Sequence, residues 1–182
     1  SYSIASTNKD NKIRLLIKKC PNGQMSNYWF NDAQENDLLR IEGPKGTFFL
    51  RDSQKPLLFL ATGTGIAPVI SILESLEADE TYQQIQPIYV YWGNRKSEEF
   101  VWKPDFRKLN VSFYRVNSQP FDNWSERVGY VQDVALHDIR NIVDHDVYAC
   151  GSNAMIQSAK QQFIGKKFPE NQFYSDAFVQ SY

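Results

Sequence analysis

The feature that most constrains this chain is the run "PLLFLAT" at 56–62, followed at once by "GTGIAP" at 63–68. A continuous apolar run of that length, without polar alternation, is the pattern of a strand buried on both faces. Such strands belong to parallel sheets covered by helices. The next segment sets Ile66, Val69, Ile70, Leu73 and Leu76 on one face at close to helical spacing. The alternation then continues along the chain. "PIYVYWG" (87–93), "VSFYRV" (111–116), "DVYACG" (146–151) and "QFYSDAF" (172–178) read as strands, with helices expected around 97–109, near 131–139 and over 153–164. The expected fold is α/β, a parallel sheet with helices on both faces.

Before Lys55 the pattern differs. "KIRLLIKK" (12–19) alternates as a strand does, and "DLLRIEG" (37–43) and "TFFLRD" (47–52) read as two strands joined at "GPKG". "PNGQ" (21–24) reads as a turn and "MSNYWF" (25–30) as one or two helical turns. Two domains are therefore expected, 1–53 built mainly of β structure and 54–182 of alternating strand and helix.

Charge and composition narrow the function classes. Among 182 residues, 20 Lys+Arg nearly balance 21 Asp+Glu, for a net charge of −1. Nucleic acid and anionic membranes demand a basic excess or patch, so neither is expected as a partner. No apolar run approaches the length of a membrane-spanning helix, and nothing resembles a secretory signal, so the expected location is cytoplasmic. The two cysteines, Cys20 and Cys150, cannot hold zinc or an iron–sulfur cluster alone, and a disulfide is not expected in that compartment. Aromatic residues make up 14% of the chain. They suit a Tyr/Phe-rich core, or rings stacked on a planar cofactor.

In an open parallel sheet, ligands bind outside the carboxyl ends of the strands. Four segments reach that rim: "GTGIAP", "GNRKSEE", "NSQP" and "CGS". Gly63 and Gly65 let a ligand approach the main chain, and Pro68 suits the first turn of a helix. A helix N-terminus there points free N–H groups at the rim, which suits a pyrophosphate; the plainer alternative is an ordinary strand-to-helix turn. The motif lacks the third glycine of the dinucleotide fingerprint and the Gly-Lys-Ser/Thr of a Walker loop. Asn94 and Arg95 stand where an acidic residue would grip a ribose. Cys150 is either a small neighbour for a nicotinamide or a buried thiol. Gly23 and Ser26 start another helical turn, a second anion site or a capped turn. "DHD" (144–146) reads as a solvated turn rather than a metal site, and 165–167 as an exposed helix end. At the end of the third strand, Ser118 and Gln119 offer no Arg fork for an adenosine 2′-phosphate, so NADH is slightly favoured over NADPH.

Six motifs in order, "YSIAS", "GQMS", "GTGIAP", "GYVQD", "YACGS" and "FYSDAF", resemble flavin reductases of the ferredoxin–NADP reductase type. Within that family, "RIEGPKGTFFLRD", "DVYACGSNAMIQSAK" and "FYSDAF" are most similar to the reductases of 3,6-dideoxysugar biosynthesis. The resemblance covers essentially the whole chain. It implies that 1–53 is the C-terminal part of an antiparallel FAD-binding β-barrel and 54–182 an NAD(P)H-binding domain. Tyr2 would stack on the flavin and Ser3 would hydrogen-bond near its hydride-accepting nitrogen. Gly23, Gln24, Met25 and Ser26 would hold the FAD pyrophosphate. Gly63, Thr64, Gly65 and Pro68, with Ser118, would hold the nicotinamide nucleotide. Cys150 and Gly151 would flank the nicotinamide, and Phe178 would lie close to the flavin. Ser3 and Cys150 carry the catalytic expectation, and no residue is assigned to a metal.

The family's flavin signature is Arg-x-Tyr-Ser, of which Ser1, Tyr2 and Ser3 supply the last three positions and the Arg position falls just before them. The pattern also sets further barrel strands and, in the sugar reductases, an iron–sulfur domain ahead of "SYSIAS". The expectation is a longer protein of which this is the C-terminal part. The leading function is an oxidoreductase moving electrons from NAD(P)H through FAD to an iron–sulfur centre or partner enzyme. An NAD(P)H–flavin reductase, an oxygenase reductase component and a non-catalytic nucleotide-binding module are the alternatives.

Overall fold

The computed structural model describes residues 1–83, 86–121 and 123–178. Among the described residues six strands form: β1 (Leu57–Thr62), β2 (Ile88–Asn94), β3 (Val111–Asn117), β4 (Arg127–Val128), β5 (Asp146–Ser152) and β6 (Phe173–Phe178). They form one sheet in the order β4-β3-β2-β1-β5-β6, and every pair is parallel. Strand order reverses at β1: the chain first builds outward through β2 and β3, then crosses back to β5. The crevice at the carboxyl ends of β1 and β5 is thus the switch point where an open parallel sheet takes its ligands.

Side-chain alternation divides β1 between two cores. Leu58 and Leu60 face α3 (Val131–Asp138) and α4 (Asn153–Gly165), packing with Ala135, Ile156, Ala159 and Phe163. Leu57, Phe59 and Ala61 face α2 (Ile66–Ala78), packing with Ile66, Val69, Ile70 and Leu73. Both faces of the central strand are dry, which is why its sequence is apolar throughout. Burying each large side chain contributes about 1.5–3 kcal/mol.

Expectation and structure part in six places. The segment 97–109 forms only a 3₁₀ turn at Ser97–Glu99 and then runs irregularly. Pro104 removes one helix donor, and the Glu77 carboxylate of α2 accepts the amides of Arg107, Lys108 and Leu109. The strand expectations at 12–19, 37–43 and 47–52 are corrected as well. Among the described residues before β1, the only antiparallel bridge is Ile4 with Leu15. Strand-forming sequence becomes a strand only when a neighbour takes its N–H and C=O groups. Finally, "DHD" is not solvated: His145 and Asp146 are buried, and His145 Nδ1 lies 3.0 Å from the Asn141 carbonyl. Strand β4, two residues long, is absent from the sequence reading.

The segment 1–53 nevertheless lies against the α2 face. Ser71 Oγ donates to the Ser6 carbonyl at 2.7 Å, Arg14 pairs with Glu74, and Lys18 pairs with Glu99 at 2.5 Å. The Arg51 amide donates to the Tyr148 hydroxyl at 2.9 Å, while Phe48 meets the Tyr148 ring edge-on. The helical turn expected at 25–30 forms as α1 (Gln24–Asn27), continued by a wider turn over Tyr28–Asp32.

Candidate functional site: the carboxyl rim of the sheet

The loop after β1 is a 3₁₀ turn, Gly63–Gly65, that feeds directly into α2. Neither element carries a side-chain N-cap, and no acidic residue sits in the first turn of α2. Pro68 is buried within that turn. The backbone donors here are therefore free of side-chain competition, which favours an anion. Gly63 has φ 54°, and a Cβ built on it would meet nothing within 4 Å. The space beside the loop is open, as a main-chain cradle for a phosphate requires. Thr64, beside it, is half-buried.

Gly65 has a different reason to be glycine. A Cβ there would lie 2.3 Å from the Cys150 carbonyl oxygen and 2.7 Å from Gly151 Cα. It lets the start of α2 press against the end of β5. Gly151 repeats the arrangement from the other side, with φ 133° and a built Cβ 2.3 Å from Thr62 Oγ1. Thr62 Oγ1 in turn accepts the Ser152 amide at 2.9 Å. The ends of β1 and β5 are locked together by these contacts. Trp92 fixes the loop from β2, its Nε1 donating to the Gly63 carbonyl at 2.8 Å. Ser152 Oγ accepts the Met155 amide at 3.2 Å and caps α4.

Cys150 is fully buried at the end of β5, its Sγ 4.0 Å from Asp176 Oδ2. Burial, reinforced by the Asp176 charge, pushes the thiol far above its ordinary range. The sulfur is a neutral thiol at physiological pH and not a thiolate nucleophile. Phe178 pairs through its backbone with Ser152, so the end of β6 runs beside the end of β5. Ser118, half-buried, donates its amide to the Asn94 carbonyl at 3.0 Å and closes the rim between β2 and β3.

The second group of expected site residues lies in the N-terminal segment. Tyr2 is exposed, its ring edge-to-face with Trp29 at 6.5 Å, and Ser3 is half-buried. Trp29 Nε1 is a buried donor without a partner among the described residues. Gly23 stands at the N-cap of α1 with no side-chain cap, and Gln24 and Met25 are exposed. Ser26 is buried, and its Oγ accepts the Cys20 amide at 2.7 Å, so that oxygen serves the turn. An exposed ring, an uncapped turn and an orphaned indole donor fit a flavin nucleotide in kind. The Gly63 loop fits a second pyrophosphate.

Sequence reasoning missed Thr62, Trp92 and Asp176. Each acts through a contact between strands far apart in the chain. The one available signal was position: all three stand at or near the carboxyl end of a strand.

The family model "Oxidoreductase NAD-binding domain" matches residues 59–161, and "Oxidoreductase FAD-binding domain" matches residues 1–50. The chain is 42% identical to Protein RfbI of Salmonella typhimurium over 187 residues, covering 100% of this chain and 55% of that protein. It is 40% identical to the CDP-6-deoxy-L-threo-D-glycero-4-hexulose-3-dehydrase reductase of Yersinia pestis, covering 100% of this chain and 56% of that protein. The chain thus spans about half the length of these relatives. Among solved structures, the ferredoxin reductase in carbazole 1,9a-dioxygenase superposes with a TM-score of 0.76 at 19% identity, over 98% of this chain and 55% of that one. The sheet and its helices are those of a ferredoxin reductase-like nucleotide domain.

Proposed function

We propose, from the premise that the chain belongs to the oxidoreductase NAD-binding domain family, that it is the nucleotide-binding and flavin-contacting part of an NAD(P)H-dependent flavoprotein reductase. Residues 54–182 take the nicotinamide nucleotide and residues 1–53 contribute to an FAD site. One observation carries the reading: the uncapped Gly63–Gly65 turn lies at the switch point of the sheet, beside open space. The amides there hold the pyrophosphate, and Thr62, Trp92 and Gly151 keep the loop in shape. Cys150, neutral and packed on Asp176, gives the nicotinamide half a small, dry neighbour. Tyr2 and Ser3 present a ring and a hydroxyl to the flavin. FAD, when bound, accepts two electrons as hydride and releases them singly.

The electrons then pass to an iron–sulfur centre or partner enzyme, and the setting is 3,6-dideoxysugar biosynthesis. Support for the setting comes from the Yersinia reductase, whose name contains a CDP-hexulose dehydrase and which matches along the whole of this chain. Calorimetric titration of the chain with NADH and NADPH tests the nucleotide reading. Micromolar binding of at least one is expected, about −8 kcal/mol. Binding of neither would overturn it.

A further inference from the structure

The rim does not end at the Gly63 loop. Trp92, whose indole holds the Gly63 carbonyl, meets Phe100 edge-on at 5.2 Å, and Phe100 stacks on Trp124 at 5.3 Å and 22°. These three rings lead from the loop to the outer strand β4. Arg115, in β3, lies over Phe100 and Trp124 at 5.7 and 5.4 Å. Its guanidinium is held by Glu126: Nε donates to Oε2 at 3.1 Å, and Nη2 pairs with Oε1. Both partners are partly exposed, at 40% and 36% of the side chain.

A dinucleotide centred on the Gly63 loop, with its nicotinamide toward Cys150 and Gly151, must send its adenosine the other way, towards β3 and β4. That half meets the Phe100–Trp124 stack and the ion pair beside it. A 2′-phosphate there needs an Arg fork, but the fork of Arg115 is already engaged by a carboxylate. Arg127 is likewise paired with Asp138 at 3.0 Å. In the segment after β2, Glu98 and Glu99 offset Arg95 and Lys96, and the Arg95 main-chain amide donates to Glu99 Oε2 at 3.3 Å. The charge around the ribose is balanced and the forks of Arg115 and Arg127 are both taken by carboxylates, which suits a free 2′-hydroxyl.

We propose that Arg115 and Glu126 set the choice of dinucleotide, the pair admitting an adenosine 2′-hydroxyl and turning away a 2′-phosphate. Glu126 is the specificity-determining residue because its carboxylate both occupies the fork and repels the phosphate. This rests on the nicotinamide-nucleotide reading above.

The test is calorimetric titration of the 182-residue chain with NADH and with NADPH. Glu126→Gln keeps the shape of the side chain and removes the charge. The wild type should bind NADH about tenfold more tightly than NADPH, a difference of about 1.4 kcal/mol. Glu126→Gln should tighten NADPH about tenfold and leave NADH within about twofold. Adding Arg115→Gln to that variant should abolish the gain. Thermal melts of the variants check that the fold is kept. Unchanged NADPH affinity in Glu126→Gln, or equal tightening of both nucleotides, overturns the inference and leaves the rim reading standing. Binding of neither nucleotide by the wild type removes both.

Discussion

The two ends of this molecule use strand-forming sequence in opposite ways. From Leu57 to Phe178 each long strand finds a parallel neighbour in the same chain, and the inner strands β1, β2, β3 and β5 find one on each side. Before Leu57 the strand candidates also carry β-branched and aromatic residues, though fewer, and Leu38, Ile41 and Phe49 are exposed; among the described residues one bridge is all that forms there. Intrinsic preference for the extended conformation favours the later region but does not by itself decide the outcome. The supply of ladder partners decides it, because an unpaired strand leaves half its backbone groups to water.

The strongest challenge to this comparison is flavin retention. The resemblance assigns Tyr2, Ser3 and Gly23–Ser26 to FAD, but an open ladder cannot hold these groups in fixed relation. The purified 182-residue chain should therefore bind FAD weakly or not at all, with no yellow colour after gel filtration. Stoichiometric FAD on that chain would break the comparison at its weaker side.

Core substitutions sharpen it by energy. Phe163 is fully buried between α4 and the sheet, whereas Leu38 is 101% exposed. Phe163→Ala should cost about 3–5 kcal/mol in urea unfolding, and Leu38→Ala less than about 0.5 kcal/mol. Similar losses would show that the two regions share one core.

At the rim, the two glycines of the loop should separate. Gly65→Val drives a side chain into the Cys150–Gly151 backbone, so stability and NADH affinity should fall together, the affinity about tenfold or 1.4 kcal/mol. Gly63→Ala meets no atom, so its effect on folding is the positive φ alone, about 1 kcal/mol. Any further loss of nucleotide binding reports what occupies the open space. A Gly65→Val protein of wild-type stability would contradict the packing account.

Cys150→Ala should have the smallest effect. NADH affinity should stay within about twofold, while reduction of added flavin by NADH in stopped flow should slow, the pattern of an interaction made only in the transition state. An unchanged rate would leave the thiol a packing group.

Much of the fold was legible in the sequence for a local reason. The apolar runs in β1, β2 and β5 are marked by length and composition because both faces are largely buried, whereas β3 and β6, only partly buried and broken by Arg115 and by Ser175 and Asp176, are marked by their aromatic residues. The segment 97–109 was misread because its amides are satisfied by Glu77, a residue 30 positions away from Arg107, which no local pattern reveals. Strand β4 has two residues and no period to detect. At the site, Gly63 and Gly65 stood out as a pair, but only the packing shows that one faces open space and the other a carbonyl. Thr62 and Trp92 act across strands and leave no local mark.

The most direct test of the central claim, that the carboxyl rim of the parallel sheet is the nicotinamide-nucleotide site, is a residue-resolved NMR titration of the chain with NADH. Amide shifts should concentrate at 62–66, 93–95, 117–118 and 150–152, the ends of β1, β2, β3 and β5, and the residues of 12–52 should stay unmoved. Saturable binding that leaves the 62–66 amides unshifted, or that shifts 12–52 instead, would contradict it.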